Sequence, residues 1–114
     1  MPDLLDSDVF VDHLRGHQRL AARPDAAYSV ITRCELFAGA DVNDDRVRTL
    51  LEPLRELPVD RDVAELAGRV RRKTRVATPD ALVAATAIVH RLTLVTRNRR
   101  HFERVPRLRV RAPR

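Results

Sequence analysis

The sequence predicts an α/β protein built on a short-stranded, mostly parallel sheet that helices cover on both sides. Three observations predict it. Short apolar runs (Leu4-Leu5, Tyr28-Ser29-Val30, Thr93-Leu94-Val95) alternate with segments of helical periodicity, the pattern of strands joined by crossover helices. The segment Thr78-Pro79-Asp80-Ala81-Leu82-Val83-Ala84-Ala85-Thr86-Ala87-Ile88-Val89-His90 is apolar almost all round and rich in alanine, as befits a helix packed closely in the interior. The chain has 114 residues, 44% of them hydrophobic, so one domain with a real core is expected over 1–114.

Each element has its own signal. Leu4-Leu5 is the first strand and ends in Asp6; Ser7 or Asp8 then caps a helix through Val9, Phe10, Val11 and Leu14, closed by Gly16. Residues 22–27 are a polar connector with Pro24 and Asp25. Tyr28-Ser29-Val30 is the second strand, and Ile31 to Ala40 a helix with Gly39 near its end. On its wheel Ile31, Cys34, Glu35 and Ala38 share a face that is apolar apart from Glu35. A buried Glu35 then needs a cation, a proton or water. Leu36 and Phe37 lie opposite, for the core or for a partner. Asp41 to Asp45 is an acidic loop in which Asp44 or Asp45 caps a helix through Val47, Leu50, Leu51 and Leu54.

Leu57-Pro58-Val59 suits an edge strand, where proline is tolerated. Asp60 to Arg75 is an amphipathic helix with Val63, Leu66, Ala67 and Val70 inward, ending in the basic run Arg71-Arg72-Lys73-Thr74-Arg75. Thr78 is the expected N-cap of the alanine-rich helix, with Pro79 at its first position. Thr93-Leu94-Val95 follows as a strand, and Leu108-Arg109-Val110 as the last.

Composition narrows the function. The formal charge is +6, from 22 basic and 16 acidic residues. Lys73 is the only lysine, so the cations are nearly all arginine. Arginine grips phosphate bidentately and favours a polyanionic partner; a GC-rich genome also enriches arginine. Phe10, Tyr28, Phe37 and Phe102 are the only aromatic residues, too few for a base-stacking platform. Cys34 is the only cysteine, which leaves no disulfide framework and no thiolate zinc site. No signal-like or membrane-length apolar run occurs, so a cytoplasmic protein without membrane attachment is expected.

Three acids occupy equivalent places: Asp6 after the first strand, Glu35 on a helix face, Asp80 in the first turn of the alanine-rich helix. Right-handed crossovers bring such positions to one end of a parallel sheet. Singly, each has a plainer reading: Asp6 as a cap, Asp80 as a charge favoured by the helix dipole by about 0.3–1 kcal/mol. Together, their repulsion raises their pKa values unless a cation neutralises them. All-oxygen ligation suits magnesium or manganese, and such an ion activates water for displacement at phosphorus. His13 and His17 are four apart, but Gly16 ends their helix between them, so no ligand pair is expected. His90 and His101 read as surface residues.

Four stretches, Leu-Leu-Asp-Ser-Asp-Val-Phe-Val-Asp (4–12), Tyr-Ser-Val-Ile-Thr-Arg-Cys-Glu-Leu-Phe-Ala-Gly-Ala (28–40), Thr-Pro-Asp-Ala-Leu-Val-Ala-Ala-Thr-Ala (78–87) and Leu-Val-Thr-Arg-Asn-Arg-Arg-His-Phe (94–102), resemble the PIN-domain ribonuclease toxins, the VapC-like members of bacterial toxin–antitoxin pairs. The resemblance runs through nearly the whole chain in order. It implies a three-layer α/β/α sandwich and a magnesium- or manganese-dependent endoribonuclease. By it Asp6, Glu35 and Asp80 are the acidic catalytic and metal-site residues, and Ser7 and Thr96 the polar positions beside them. The family's fourth acidic position falls on Asn98, an amide serving as neutral ligand or water holder. His101 stands where many relatives carry an aspartate, so a three-acid, one-metal centre is expected. Little chain separates Arg75 from Thr78 compared with many relatives.

Arg97, Arg99 and Arg100 are candidates for gripping RNA phosphates. The resemblance also implies a VapB-like antitoxin covering the acidic pocket, and a homodimer or toxin–antitoxin hetero-oligomer. Two rivals remain. A two-component receiver domain gathers acids around magnesium in the same way, but it needs a lysine at the end of its fifth strand, and Lys73 lies in a helix. A catalytically weak PIN-like module that only binds RNA or protein draws its support from Asn98.

Overall fold

The computed structural model describes residues 2–20 and 25–114. The connector expected over 22–27 lies outside these residues up to Pro24. In chain order the elements are β1 (Asp3–Leu5), α1 (Ser7–Leu14), β2 (Ala27–Ser29), α2 (Val30–Phe37), α3 (Asp44–Leu51), β3 (Arg55–Leu57), α4 (Arg61–Thr74), α5 (Thr78–Val89), β4 (Thr93–Val95) and β5 (Val110–Arg111). A 3-10 turn, Arg99–His101, stands between the last two strands. The sheet runs β3-β2-β1-β4-β5, and every neighbouring pair is parallel.

Alternation along the strands sorts the core into two layers. Leu4, Ala27, Leu57 and Leu94 point to one side, where α4 and α5 pack Val63, Ala67, Val70, Ala81, Ala84 and Ala85 against them. Leu5, Tyr28 and Val95 point to the other, against Phe10, Leu36, Val47 and Leu51 of α1, α2 and α3. This is the expected three-layer α/β/α arrangement. The alanines of α5 are fully buried; their small side chains let the helix sit close to both the sheet and α4.

Strand order fixes where a site can form. From β1 the chain builds outward to β2 and β3, then returns to place β4 and β5 on the other side of β1. The crevice at the carboxyl ends of β1 and β4 is therefore the topological switch point, where open α/β sheets bind ligands. The Asp6 N–H donates to the Val95 carbonyl at 3.0 Å, locking the two strand ends together.

Several boundaries and caps differ from expectation, each for a local reason. Asp6 itself is the N-cap of α1, its Oδ1 accepting from the Ser7 N–H at 2.9 Å; Ser7 and Asp8 lie inside the helix. Gly16, at φ +74°, closes that helix as expected. Ser29 caps α2 by accepting from the Ile31 N–H at 3.1 Å, so β2 stops at Ser29 and Val30 is helical. Asn43 caps α3, accepting from the Arg46 N–H at 3.0 Å, which leaves Asp44 and Asp45 as first-turn acids. Thr78 is the first residue of α5, not its cap; Ala77 holds that position with no side-chain bond. The edge strand β3 ends before Pro58, and the last strand is shifted to Val110–Arg111.

The largest difference is the rotation of α2. Leu36 and Thr32 face the core, whereas Cys34 and Ala38 are exposed and Ile31 is half-buried. The helix packs between α1 and α5, and the core takes its larger side chain. Leu36 is therefore a core residue.

Phe10 is fully buried, edge-on to the Tyr28 ring at 5.9 Å. Phe10→Ala is expected to cost about 3–5 kcal/mol, read as a lowered midpoint in urea unfolding at unchanged slope.

Candidate acidic active site

Four carboxylates gather at the switch point. Asp6, 6% exposed, follows β1, and its Oδ2 accepts from the Thr96 hydroxyl at 2.8 Å. Thr96 follows β4, so strand pairing itself brings them together. Burial pushes the Asp6 carboxyl up to about 6, the Asp8 charge adds to this, the Thr96 and Ser7 hydrogen bonds oppose it, and Asp80 raises it further.

Asp8 lies in the first turn of α1. Its Oδ2 accepts from three donors: the Thr96 hydroxyl at 3.0 Å, the Arg97 N–H at 3.0 Å and the Asn98 Nδ2 at 3.1 Å. Its Oδ1 is buried without a partner. Burial raises the Asp8 pKa; the Thr96 and Arg97 hydrogen bonds and the Arg97 charge pull against that, while Asp12 adds to it.

Glu35 projects from α2. It is exposed, not buried as its apolar face predicts; partial desolvation of its carboxyl raises its pKa, a hydrogen bond from Ser7 lowers it, and the charges of Asp80 and Asp8 raise it. Asp80 opens α5; burial raises its pKa, His101 lowers it and Asp8 raises it. The His101 Nδ1 stands 3.6 Å from Asp80 Oδ2. The charges of Asp8 and Asp80 both act on Asp6 and on Glu35, and Asp8 and Asp80 repel one another.

The sequence-predicted residues fall around this cluster. Ser7 bonds Glu35 and Thr96 bonds Asp6, as polar positions beside the acids. Asn98 donates its backbone N–H to the Thr96 hydroxyl oxygen at 3.1 Å and its amide to Asp8. Arg97 stays exposed, but its Nη1 binds the buried carboxylate of Asp12 at 2.6 Å, so that guanidinium is committed to the protein. Arg99 and Arg100 are exposed on the 3-10 turn and line an open groove with Asn98 and His101. His13 accepts from the Leu20 N–H at 2.9 Å through Nδ1, a use that competes with any ligand role alongside His17.

Asp8 is the functional candidate that sequence reasoning misses. Its one signal is the Asp-Ser-Asp spacing, which reads equally well as a choice of caps.

Among the described residues, no three His, Cys, Asp or Glu side chains stand as a ready cage for a metal ion. The donor set nevertheless fits a hard cation. The Thr96 hydroxyl has one proton and faces two carboxylate oxygens. Asp8 Oδ2 keeps the Arg97 and Asn98 donors whichever way that proton points, whereas Asp6 Oδ2 depends on it. Asp8 Oδ1 has no donor at all, and buried oxygens of this kind call for an ion or water. The four acids offer only oxygens, as magnesium and manganese prefer.

The family model of the PIN domain matches residues 4–108. Ribonuclease VapC10 of Mycobacterium tuberculosis is 38% identical over 112 residues, covering 87% of this chain and 84% of that protein. Ribonuclease VapC19 of the same species is 33% identical, with 92% of this chain and 95% of that protein covered. Among solved structures, a toxin–antitoxin complex from Klebsiella pneumoniae superposes with a TM-score of 0.79 at 33% identity, covering 91% of this chain and 92% of that one. VapBC2 from Rickettsia felis, bound to a DNA fragment from its promoter, gives 0.86 at 22% identity over 100% of both chains, a likeness of fold. The chain belongs to the PIN-domain family, among its VapC ribonucleases.

The raised Asp6 pKa has a signed consequence for metal-free protein. Folded Asp6 keeps its proton up to about pH 6, unfolded Asp6 only to about 3.9. Folding therefore binds protons in that window, and stability falls as pH rises through it, by about 3 kcal/mol from this residue. In chelator, Asp6→Asn is expected to flatten the fall of the urea midpoint between pH 4 and 6.5 and to be the more stable protein at pH 8.

Proposed function

We propose that this chain is the toxin of a type II toxin–antitoxin pair and works as a Mg2+- or Mn2+-dependent endoribonuclease. The observation that carries this reading is the cluster of four carboxylates at the β1/β4 switch point, one of whose oxygens, Asp8 Oδ1, is buried without a donor. The names of its relatives, two ribonucleases and a toxin–antitoxin complex, support the same reading. A VapB-like antitoxin is the expected partner, in a homodimer or a hetero-oligomer, and the cytoplasm the expected location. Among the described residues no helix is long and apolar enough to cross a membrane.

In this reading Asp6, Glu35 and Asp80 hold the divalent ion. When bound, that ion supplies charge neutralisation at phosphorus and lowers the pKa of an attacking water. The protein's own groups do the rest. Ser7 fixes the Glu35 carboxylate and Thr96 fixes Asp6, so the acids keep their orientation without substrate. Asp80 releases its proton more readily because His101 stands beside it. Arg99 and Arg100 reach flanking phosphates from the rim, while Arg97, tied to Asp12, holds the loop that carries Thr96 and Asn98. Raised carboxylate pKa values make metal binding compete with protons, so activity rises from pH 5 to pH 8.

Purified protein incubated with total cellular RNA is expected to produce discrete fragments with manganese and none in chelator, and Asp80→Asn to lose at least 100-fold of the rate. Cleavage that survives in Asp80→Asn would place the chemistry elsewhere; manganese binding without any cleavage would favour the RNA- or protein-binding module instead. Arg99→Ala with Arg100→Ala is expected to weaken RNA binding and to flatten its dependence on log salt by about 0.7 for each phosphate these arginines neutralise.

A further inference from the structure

We propose that Asp8 is the fourth carboxylate of this metal centre and that Asn98 is its positioning partner, so that the acid at 8 and the amide at 98 function as a pair. The inference rests on the metal-dependent reading above and adds a ligand to it. It starts from the hydrogen bonds. Asp8 Oδ2 is saturated by Thr96, Arg97 and Asn98, which fixes the carboxylate in one orientation. Its Oδ1 is left buried and unpartnered. A carboxylate pinned through one oxygen, with the other buried without a donor and its charge acting on Asp6, Glu35 and Asp80, is built to give that oxygen to something positive.

A merely structural first-turn acid has no need of this arrangement. The helix dipole is satisfied by a solvated carboxylate, as at Asp44, Asp45 and Asp62, which lie exposed in the first turns of α3 and α4. Asp8 instead forgoes solvent at Oδ1 and crowds Asp6, with which it shares one hydroxyl proton.

Asn98 completes the argument. Its Nδ2 is a donor to Asp8, a bond that an ionised aspartate, acceptor only, cannot make. A carboxylate at 98 would face Asp8 across the same 3.1 Å with no proton between them. The amide at 98 is therefore the proper neighbour of the acid at 8, and exchanging the two identities keeps the net charge and one amide–carboxylate bond, while the Arg97 N–H gives up its acceptor.

The test is manganese binding to the full chain by titration calorimetry at pH 7.5, with thermal unfolding to verify folding. Asp8→Asn is expected to weaken manganese binding at least tenfold. The exchanged variant, Asp8→Asn with Asn98→Asp, is expected to return to within about threefold of the parent. Wild-type affinity in Asp8→Asn, with loss in Asp6→Asn, would overturn the proposal and leave the metal-dependent reading standing. A weakened Asp8→Asn that the exchange does not rescue would overturn the pairing. No manganese binding by the parent would overturn both readings. Should Asp8→Asn fail to fold, the exchanged variant decides alone, since retained binding requires that a carboxylate at either position serve.

Discussion

The pairing on which the site depends is that of β1 with β4. These parallel strands are far apart in sequence and adjacent in the sheet, with Leu5 opposite Val95. Their pairing delivers Asp6 and Thr96 to the same point, one residue beyond each strand. The Asp6 N–H to Val95 carbonyl bond then fixes the two ends in register. A one-residue slip would reverse the side chains of β1 between the two core layers: Leu4 and Leu5 would exchange sides, and Asp6 would leave the crevice. The requirement that both layers be filled with apolar side chains thus protects the register of the chemistry.

That precision is held against an electrostatic cost. Asp6, Asp8, Glu35 and Asp80 all have pKa values raised by burial and by neighbouring acids, Asp12 among them at Asp8. The core makes this tolerable. Fully buried alanines on α5 and a second layer centred on Phe10, Tyr28 and Leu51 give the sheet stability that does not involve the acids. The conflict is local and sits at the mouth of a well-packed structure, where a ligand can relieve it. Such a division is what a functional site supported by a separate core looks like.

Much of this is legible in the sequence, and what is not has physical causes. Element order and type can be read because alternating short apolar runs and 3.6-residue periodicity are properties of the chain alone. Asp6, Glu35 and Asp80 can be singled out because each interrupts an apolar context. The rotation of α2 cannot, since a short helix with apolar residues on both sides has no single inward face until α1 and α5 are placed. Capping is ambiguous where neighbours compete: Asp6, Ser7 and Asp8 are all good caps, and only the tertiary bond to Thr96 explains why Asp6 takes the role. The same competition hides Asp8. Its significance depends on Asn98, ninety residues away, and no spacing rule connects them.

The formal charge of +6 belongs to the same balance. A polyanion must approach an acidic centre, which opposes it, and the surrounding arginines reverse the sign of the approach. The structure separates these charges by task. Arg97 is committed to Asp12, and in that position it stiffens the loop whose backbone holds Asp8, without entering the acid cluster. His101 stands near enough to Asp80 to favour its ionised form yet remains largely exposed. Arg99 and Arg100 stay on the rim. Were a rim guanidinium to fold inward onto Asp6 or Asp8, it would satisfy the donor deficit permanently and remove the reason to bind a metal. The geometry avoids this at Arg97 by giving its guanidinium a buried carboxylate, Asp12, to hold.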